Sequence, residues 1–433
     1  MSAVFSRGDD LPLAVRAQGC WVFDADGRSY LDAAGGAVVS AVGHGRRRVV
    51  DAIAAHLRQL DYVHSTTFRT EAVEAYAAEL AELVPLPDAR VYPVAGGSEA
   101  TETALKLART TQVARGEAHR VSFITRRGSY HGNTLGALDV SGRRRLRGPY
   151  EPLLGRAVFV PEVNEYRCPV PTHPDECGVR HAERLEEEIV RRGDVVAFIG
   201  ESVGGATMGA TVPPPHYWKA VAEVCHRHGV LLIVDEVMAG FGRTGQWFGI
   251  QHWGIEPDIL VTGKGAASGY WPLGLCIASG EVFTEVSEAG FVHGFTFSHH
   301  GAGAVAGREV LKIMKEEGLV EAANRQGKKL GEGLLAAIGD HPHVGDIRGI
   351  GLLWAIEFVA DRPSKRPFDH SRRVTDQIVK AALDEGLLLY PVRGGADGIN
   401  GDAVLLGPPL TISDEEISQV VDRLASSLTP LRT

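Results

Sequence analysis

Residues 230–245 read VLLIVDEVMAGFGRTG, an unbroken apolar run that ends in Asp235 and Glu236. Such a run suits a strand buried on both faces, as in a parallel sheet covered by helices. Working outward, residues 121–125 (VSFIT), 195–200 (VVAFIG) and 258–262 (DILVT) have the same form. Between the second of these runs and the quoted one, residues 216–228 carry apolar side chains at helical spacing. The prolines at 213–215 mark where that helix begins. Strands that alternate with helices predict an α/β fold with a mostly parallel sheet. In open sheets of this kind, ligands bind beyond the carboxyl ends of the strands. Those ends carry Glu201–Ser202, Asp235–Glu236 and Gly263–Lys264–Gly265, so two carboxylates and a lysine define one candidate site.

Composition narrows the function classes. Over 433 residues, 44% hydrophobic and 23% charged residues describe an ordinary folded chain and exclude wholesale disorder. The net charge of −9, with no basic run longer than the arginines at 143–145, argues against nucleic acid as a partner. No stretch of 18 apolar residues appears, and the opening MSAVFSRGDD lacks an apolar signal core, so neither membrane nor secretion is expected and the location reads as cytoplasmic. The five cysteines are scattered, odd in number and without a C-x-x-C pair, which suits reduced thiols. Cys168 and Cys177 bracket His173 in a Pro-rich loop. That spacing matches no common zinc pattern and reads as a surface excursion, with no metal site expected.

After the glycines at 301 and 303 the pattern changes to charged helical stretches at 304–317 and 320–338. A strand at 351–359, a helix near 374–385 and a last helix from 413 to about 427 follow. Ser413 and Glu416 form a capping box at the start of that last helix. The expected division is an N-terminal segment of residues 1–60, a large domain of residues 61–304 and a smaller α/β domain of residues 305–433. The N-terminal segment joins the small domain and the entrance to the site.

Lysine is scarce, with nine in the chain, and eight of them have bland settings on helices or in polar loops. Lys264 alone follows a buried strand directly and is flanked by glycines. A desolvated amine there loses protons more easily and becomes a nucleophile toward carbonyls. Gly96, Gly97 and Ser98 open a helix whose free N–H groups and dipole suit a phosphate, although Ser98 alone reads equally as an N-cap. The loop Gly128-Ser129-Tyr130-His131-Gly132 presents an aromatic ring at the same sheet edge. Asp235, costly to bury unless paired, suits a protonated pyridine nitrogen. Together these features fit one ligand, pyridoxal 5′-phosphate.

The motifs AGGSEATETALKLAR (95–109), SYHG (129–132), LIVDEVMAGFGRTG (232–245), TGKGAASGYWPLG (262–274), HGFTFS (293–298) and GPPLTIS (407–413) resemble, in order, those of the class III pyridoxal-phosphate aminotransferases of fold type I. The segment GCWVFDADGRSYLDAAGG (19–36) also resembles the start of that family's chains. The resemblance implies roles residue by residue. Lys264 would carry the cofactor and then move the proton between substrate Cα and cofactor C4′. Asp235 would keep the pyridine ring protonated, Tyr130 and Val237 would cover its two faces, and Gly97 and Ser98 would hold the phosphate. His131 and Glu201 would lie beside the cofactor, and Thr296 would reach the phosphate of a neighbouring subunit. The resemblance therefore implies a homodimer with active sites at the subunit interface, or a tetramer of such dimers.

The departures from the family pattern bear on substrate. Ser202 replaces the proline of the usual Glu-Pro pair, which is expected to loosen that turn, and Gly301 also stands where the family has proline. Leu405 holds the place, three residues before Pro408–Pro409, where members that clamp an α-carboxylate often have arginine. Arg393, in the glycine-rich stretch 393–401, resembles the movable arginine of ω-amine aminotransferases in placement; it reads equally as a solvated loop arginine. Pocket walls are expected from residues 19–21, 62–68 and 268–271, with Trp21 a candidate substrate contact. The resulting expectation is ping-pong transamination from an ω-amino acid or amine donor to a keto acid such as pyruvate. The alternatives are an aminomutase or decarboxylating relative, or a cofactor-binding protein without turnover.

Overall fold

The computed structural model describes residue 5 and residues 11–168 and 174–431. His173 and most of the opening decapeptide lie outside the described residues. The core is a seven-stranded sheet in the order Arg90–Val94, Gly274–Ala278, Ile259–Thr262, Leu231–Asp235, Val195–Glu201, Ser122–Arg126, Val158–Val160. Gly274–Ala278 runs antiparallel to both its neighbours, and the remaining pairings are parallel. Val195–Glu201 and Leu231–Asp235 are buried at every position, as their unbroken apolar runs require. Each ends one residue later than its apolar run, so Glu201 and Asp235 are themselves the last residues of their strands.

Three strands of this sheet escaped the sequence reading, for reasons visible in their composition and length. Arg90–Val94 contains Pro93 and lies at an edge, the place in a sheet where proline is tolerated. Val158–Val160 is a three-residue edge strand, and Gly274–Ala278 begins at a glycine beside a Pro-Leu-Gly turn.

The helix Tyr217–Arg227 crosses from Val195–Glu201 to Leu231–Asp235. Its Trp218 is fully buried, and the indole N–H donates to the Ser202 carbonyl at 3.0 Å. The Ser202 N–H donates to the Asp235 carbonyl at 3.2 Å. The turn expected to be loosened by Ser202 is therefore pinned on both sides, by a bond that proline, lacking an N–H, cannot make.

Two four-stranded sheets flank this core. In one, Ala14–Gln18, Trp21–Asp24 and Ser29–Asp32 are antiparallel, and Leu387–Leu388 from the far end of the chain pairs parallel to the third strand. The other joins Val344–Ile350, Leu353–Phe358, Asp402–Leu406 and Tyr390–Arg393, all antiparallel. The single strand expected at 351–359 is thus half of a hairpin that turns at Gly351. That glycine has φ +56°, and a Cβ on it would lie 2.3 Å from the Thr244 backbone carbon. Beside it, buried Arg243 donates to the carbonyls of Leu352 at 3.0 Å, Pro408 at 2.5 Å and Ser40 at 3.3 Å. One guanidinium thus ties the GFGRTG turn to the hairpin, the Pro-Pro segment and the N-terminal region.

The glycines expected to precede a helix lie inside it, since the helix spans Gly301–Glu316. A Cβ on Gly301 would lie 2.3 Å from His56 Nε2, and one on Gly307 2.6 Å from the Tyr76 ring, so close packing explains both residues. All five cysteines are free thiols. The surface excursion expected between Cys168 and Cys177 falls largely on residues 169–173, outside the described residues; at its two ends the Cys168 and Cys177 sulfurs lie 3.3 Å apart, with His181 beside Cys168. No described helix is long and apolar enough to cross a membrane.

The last helix, Asp414–Ser427, starts with the expected reciprocal cap. Ser413 Oγ accepts from the Glu416 N–H at 3.2 Å, and a Glu416 carboxylate oxygen accepts from the Ser413 N–H at 2.9 Å. The other Glu416 oxygen accepts the Trp21 indole N–H at 2.8 Å. Ser413→Ala should cost about 1 kcal/mol, read as a fall of about 1–2 °C in thermal midpoint. Glu416→Ala should cost more, because it also releases Trp21.

Candidate active site

Sheet register builds the centre of the site. Glu201 pairs with Asp235, and Asp235 with Val261, so the two carboxylates sit on adjacent strands about 4.8 Å apart. The third strand ends at Thr262, Gly263 continues extended, and Lys264 turns into the left-handed region at φ +45°. Holding a lysine there costs about 1–3 kcal/mol, a strain that persists only where surrounding structure imposes it. A Cβ on Gly265 would already be 3.0 Å from the Phe241 Cβ, which leaves the next residue little alternative to glycine.

Burial lowers the Lys264 amine to about 8, although Asp235 and Glu201 pull the other way. About a tenth of the amine is then neutral at pH 7, roughly two- to three-hundredfold more than for an ordinary lysine. Lys264 as a whole residue is half-buried.

Asp235 is buried at 4% exposure, and hydrogen-bond partners meet both its oxygens. One oxygen accepts the Val237 N–H at 2.9 Å, and the other lies 2.7 Å from His131 Nδ1. His131 is fixed in turn: its Nε2 is 3.3 Å from Thr125 Oγ1, and its backbone N–H donates to Ser141 Oγ at 2.9 Å. The sequence placed His131 beside the ligand, and the structure shows it as the group that holds Asp235. Glu201 is buried as well; burial raises its carboxyl above the usual range, and one oxygen accepts the Gly205 N–H at 3.0 Å.

Arg126 was missed in the sequence. It ends the strand Ser122–Arg126, lies over the rings of Tyr217 and Trp218 at 5.8 and 5.7 Å, and donates to the Glu201 carbonyl at 2.5 Å. The available signal was an arginine directly after a buried strand and just before the SYHG loop. Glu236, the neighbour of Asp235, is structural. It accepts the N–H groups of Gly249 and Ile250 at 2.9 and 2.7 Å, and burial pushes its carboxyl up to about 7.

Beside this floor, the helix Gly97–Ala114 begins at an extended Gly96, and no side chain caps its first N–H groups. Close packing dictates the glycines there. A Cβ on Gly97 would lie 3.3 Å from both Val237 methyls, and a Cβ on Gly274 would lie 2.2 Å from the Gly96 carbonyl oxygen. Ser98 Oγ accepts the Asn133 N–H at 3.0 Å, and a Cβ on Gly132 would lie 2.6 Å from that hydroxyl. The loop carrying Tyr130 is therefore seated on the helix start. Gly97, Ser98, Tyr130 and Val237 are half-buried, whereas Asp235, His131 and Glu201 are buried. That is the pattern of walls around a floor.

The remaining expected residues are placed as follows. Thr296 is exposed and its carbonyl accepts the Tyr62 hydroxyl at 2.9 Å. The Trp21 indole N–H is engaged by Glu416, as described. Leu405 is fully buried in an apolar cluster with Val38, Met238, Val392 and Ala403. Arg393 is half-exposed and ion-paired with Asp376 through Nε at 2.7 Å. It borders a cavity of about 1170 Å³ whose wall also carries Arg144, Arg145 and Arg373.

A reactive amine, a buried carboxylate with a fixed donor, an uncapped helix start and two apolar walls suit a flat ligand that carries a carbonyl, a protonatable ring nitrogen and a phosphate.

Comparison with known proteins supports that assignment. The family model described as aminotransferase class-III matches residues 4–428. The uncharacterized aminotransferase YodT of Bacillus subtilis is 36% identical, with 95% of this chain and 93% of that one covered. A putrescine–pyruvate aminotransferase of Pseudomonas aeruginosa is 32% identical, with 94% and 88% covered. The ω-transaminase of Pseudomonas jessenii, solved in complex with PMP, superposes with a TM-score of 0.92 at 32% identity, covering 99% of this chain and 96% of that one.

Two measurements test the site. In cofactor-free protein, covalent capture of pyridoxal 5′-phosphate should rise with pH and level off above about pH 8, following the lowered Lys264 amine. A midpoint near 10.5 would refute the desolvated amine. Asp235→Asn should lower turnover by at least ~100-fold, since a charge-assisted hydrogen bond worth roughly 1.5–3 kcal/mol in binding counts for more where charge develops.

Proposed function

The chain belongs to the class III aminotransferases and uses pyridoxal 5′-phosphate, and we propose that it moves the amino group of an ω-amino acid or simple amine to a keto acid, pyruvate above all, in two alternating half-reactions. The observation that carries this reading is the juxtaposition at three strand ends: a desolvated Lys264 amine beside Asp235, whose charge His131 and the Val237 N–H maintain. Bound there, the cofactor supplies an electron sink for the pair of electrons left at the substrate Cα.

The chain's own residues do the rest. Lys264 Nζ would hold the cofactor and, when free, would carry a proton away from the donor Cα. Asp235 would keep the ring nitrogen protonated, and His131 keeps Asp235 aimed. The N–H groups at Gly97 and Ser98 would bind the phosphate, and Tyr130 and Val237 would supply the walls on either side of the ring. Glu201 occupies the neighbouring strand end, on the side from which substrate approaches.

The walls favour this substrate class. Leu405, sunk in an apolar cluster, leaves no fixed cation before Pro408–Pro409. Arg393 has its charge answered by Asp376 and is followed by a loop with glycines at 394, 395, 398 and 401. It also borders a smaller cavity that reaches Gly128 and Arg143, beside the Tyr130 loop. An arginine so placed can trade Asp376 for a substrate carboxylate and return to it when an uncharged amine enters. The names of two relatives, putrescine–pyruvate aminotransferase and ω-transaminase, agree with an amine donor and, for the first, a pyruvate acceptor.

The same reading takes the enzyme as a homodimer. Thr296 is exposed among exposed Val292 and Phe297, and serves the phosphate of the neighbouring subunit. Five free thiols suit a reducing cytoplasm.

The test is spectroscopic. The visible band of the enzyme should bleach on adding an amine donor and return with pyruvate; a band that an amine leaves unchanged would refute transamination. Lys264→Ala should still bind the cofactor through phosphate contacts, lack that band and lose several orders of magnitude in turnover. Arg393→Ala should raise the KM for pyruvate by roughly 10–100-fold, the equivalent of one lost charge-assisted pair, and leave the KM for a simple amine nearly unchanged. Equal losses for both substrates would remove Arg393 from carboxylate recognition.

A further inference from the structure

Cys168, Cys177 and His181 take no part in the chemistry above. Cys168 follows the short turn Glu165–Arg167, while Cys177 and His181 lie one helical turn apart on Pro174–Arg192, hence on one face. Cys168 Sγ is 3.3 Å from Cys177 Sγ and 3.6 Å from His181 Nε2, and the three ligand atoms all lie within 4.8 Å of one another. Cys177 and His181 are buried at 5% and 4% exposure, and Cys168 is half-buried.

Magnitudes separate the two things such a group can do. In a tetrahedral zinc site, Zn–S of about 2.3 Å and Zn–N of about 2.0–2.1 Å place ligand atoms about 3.8 Å apart for two sulfurs and about 3.5 Å for sulfur and nitrogen. The observed 3.6 Å matches the second edge, and the observed 3.3 Å is within about half an ångström of the first. A disulfide would need the sulfurs to close to about 2.05 Å, a movement of more than an ångström that leaves the imidazole unused.

The surroundings hold the group in place. A Cβ on Gly178 would lie 2.2 Å from the Pro215 carbonyl oxygen, so the helix is packed hard against its neighbour. The His181 ring meets the Tyr217 ring edge-on at 6.3 Å.

We propose that Cys168, Cys177 and His181 bind one zinc ion, with the fourth position left to water. Two thiolates and an imidazole select a borderline-soft cation over magnesium or calcium. Binding releases two thiol protons to solvent, and two thiolates with Zn²⁺ are neutral overall, which suits a site whose neighbour Tyr217 already has the Arg126 guanidinium over its ring. The ion fastens the segment that leaves the edge strand Val158–Val160 to the first turns of the helix.

The full-length, cofactor-loaded enzyme, purified under reducing conditions without chelator, should contain about one zinc per chain by elemental mass spectrometry. Cobalt introduced in its place should give tetrahedral d–d bands toward the red end of the visible, clear of the cofactor, with sulfur charge transfer. Cys168→Ser, Cys177→Ser and His181→Gln should each lower metal affinity at least tenfold while keeping the cofactor band, which reports that they fold. Wild-type enzyme that takes up neither zinc nor cobalt would overturn the proposal. So would metal retained equally in all three variants, or a Cys168–Cys177 disulfide that forms in place of metal binding. Should a variant fail to fold, the wild-type cobalt spectrum decides alone, because without sulfur charge transfer the thiolates are not ligands.

Discussion

A carboxylate buried at the end of a central strand organises this molecule. Taking Asp235 out of water would cost several kcal/mol unless donors replaced that water, and two do: the Val237 N–H and the His131 imidazole. Each donor imposes a requirement further out. Val237 has to turn back immediately after the strand, which brings its methyls against Gly97 and the helix start. His131 has to be held in one orientation, which Thr125, Ser141 and the SYHG loop supply. The same negative charge partly restores the protonation that burial removes from Lys264, so the amine settles at about 8.

A second constraint is the joining of separate sheets around that centre. Arg243 is enclosed and donates to carbonyl oxygens, and burial lowers its pKa to about 9. Those carbonyls belong to three distant parts of the chain, so one side chain registers the hairpin, the Pro-Pro segment and the N-terminal region against the strand that carries Asp235. Gly351 and Gly274 extend the same logic. Each lies where another backbone approaches closer than a Cβ would permit.

The residues near the C-terminal strands are held in two different ways. Leu405 belongs to a tight apolar cluster, whereas Arg393 sits at a cavity edge with an ion-pair partner and a glycine-rich loop behind it. Buried, hydrogen-bonded residues thus line the strand-end site, and under the proposed function the Arg393–Asp376 ion pair is the element that exchanges when substrates alternate. At the cofactor end, Lys264 keeps a strained left-handed backbone at φ +45°.

The amino-acid sequence by itself determined the strand-end residues Glu201, Asp235 and Lys264, the helix start at Gly97 and the Ser413–Glu416 cap. These features are set by local periodicity and neighbouring residue types, which act over a few residues. Only the tertiary structure decided the partners. His131 meets Asp235 across 104 positions, and Arg126 reaches the Glu201 carbonyl across 75. Arg393 finds Asp376 instead of solvent. His181 meets two cysteines whose spacing matched no zinc pattern, because it lies one helical turn from Cys177 on Pro174–Arg192. Ser202, expected to loosen its turn, tightens it, since its N–H faces a carbonyl on the adjacent strand. Such pairings depend on sheet order and register, and these arise from burying the apolar faces of the whole chain at once.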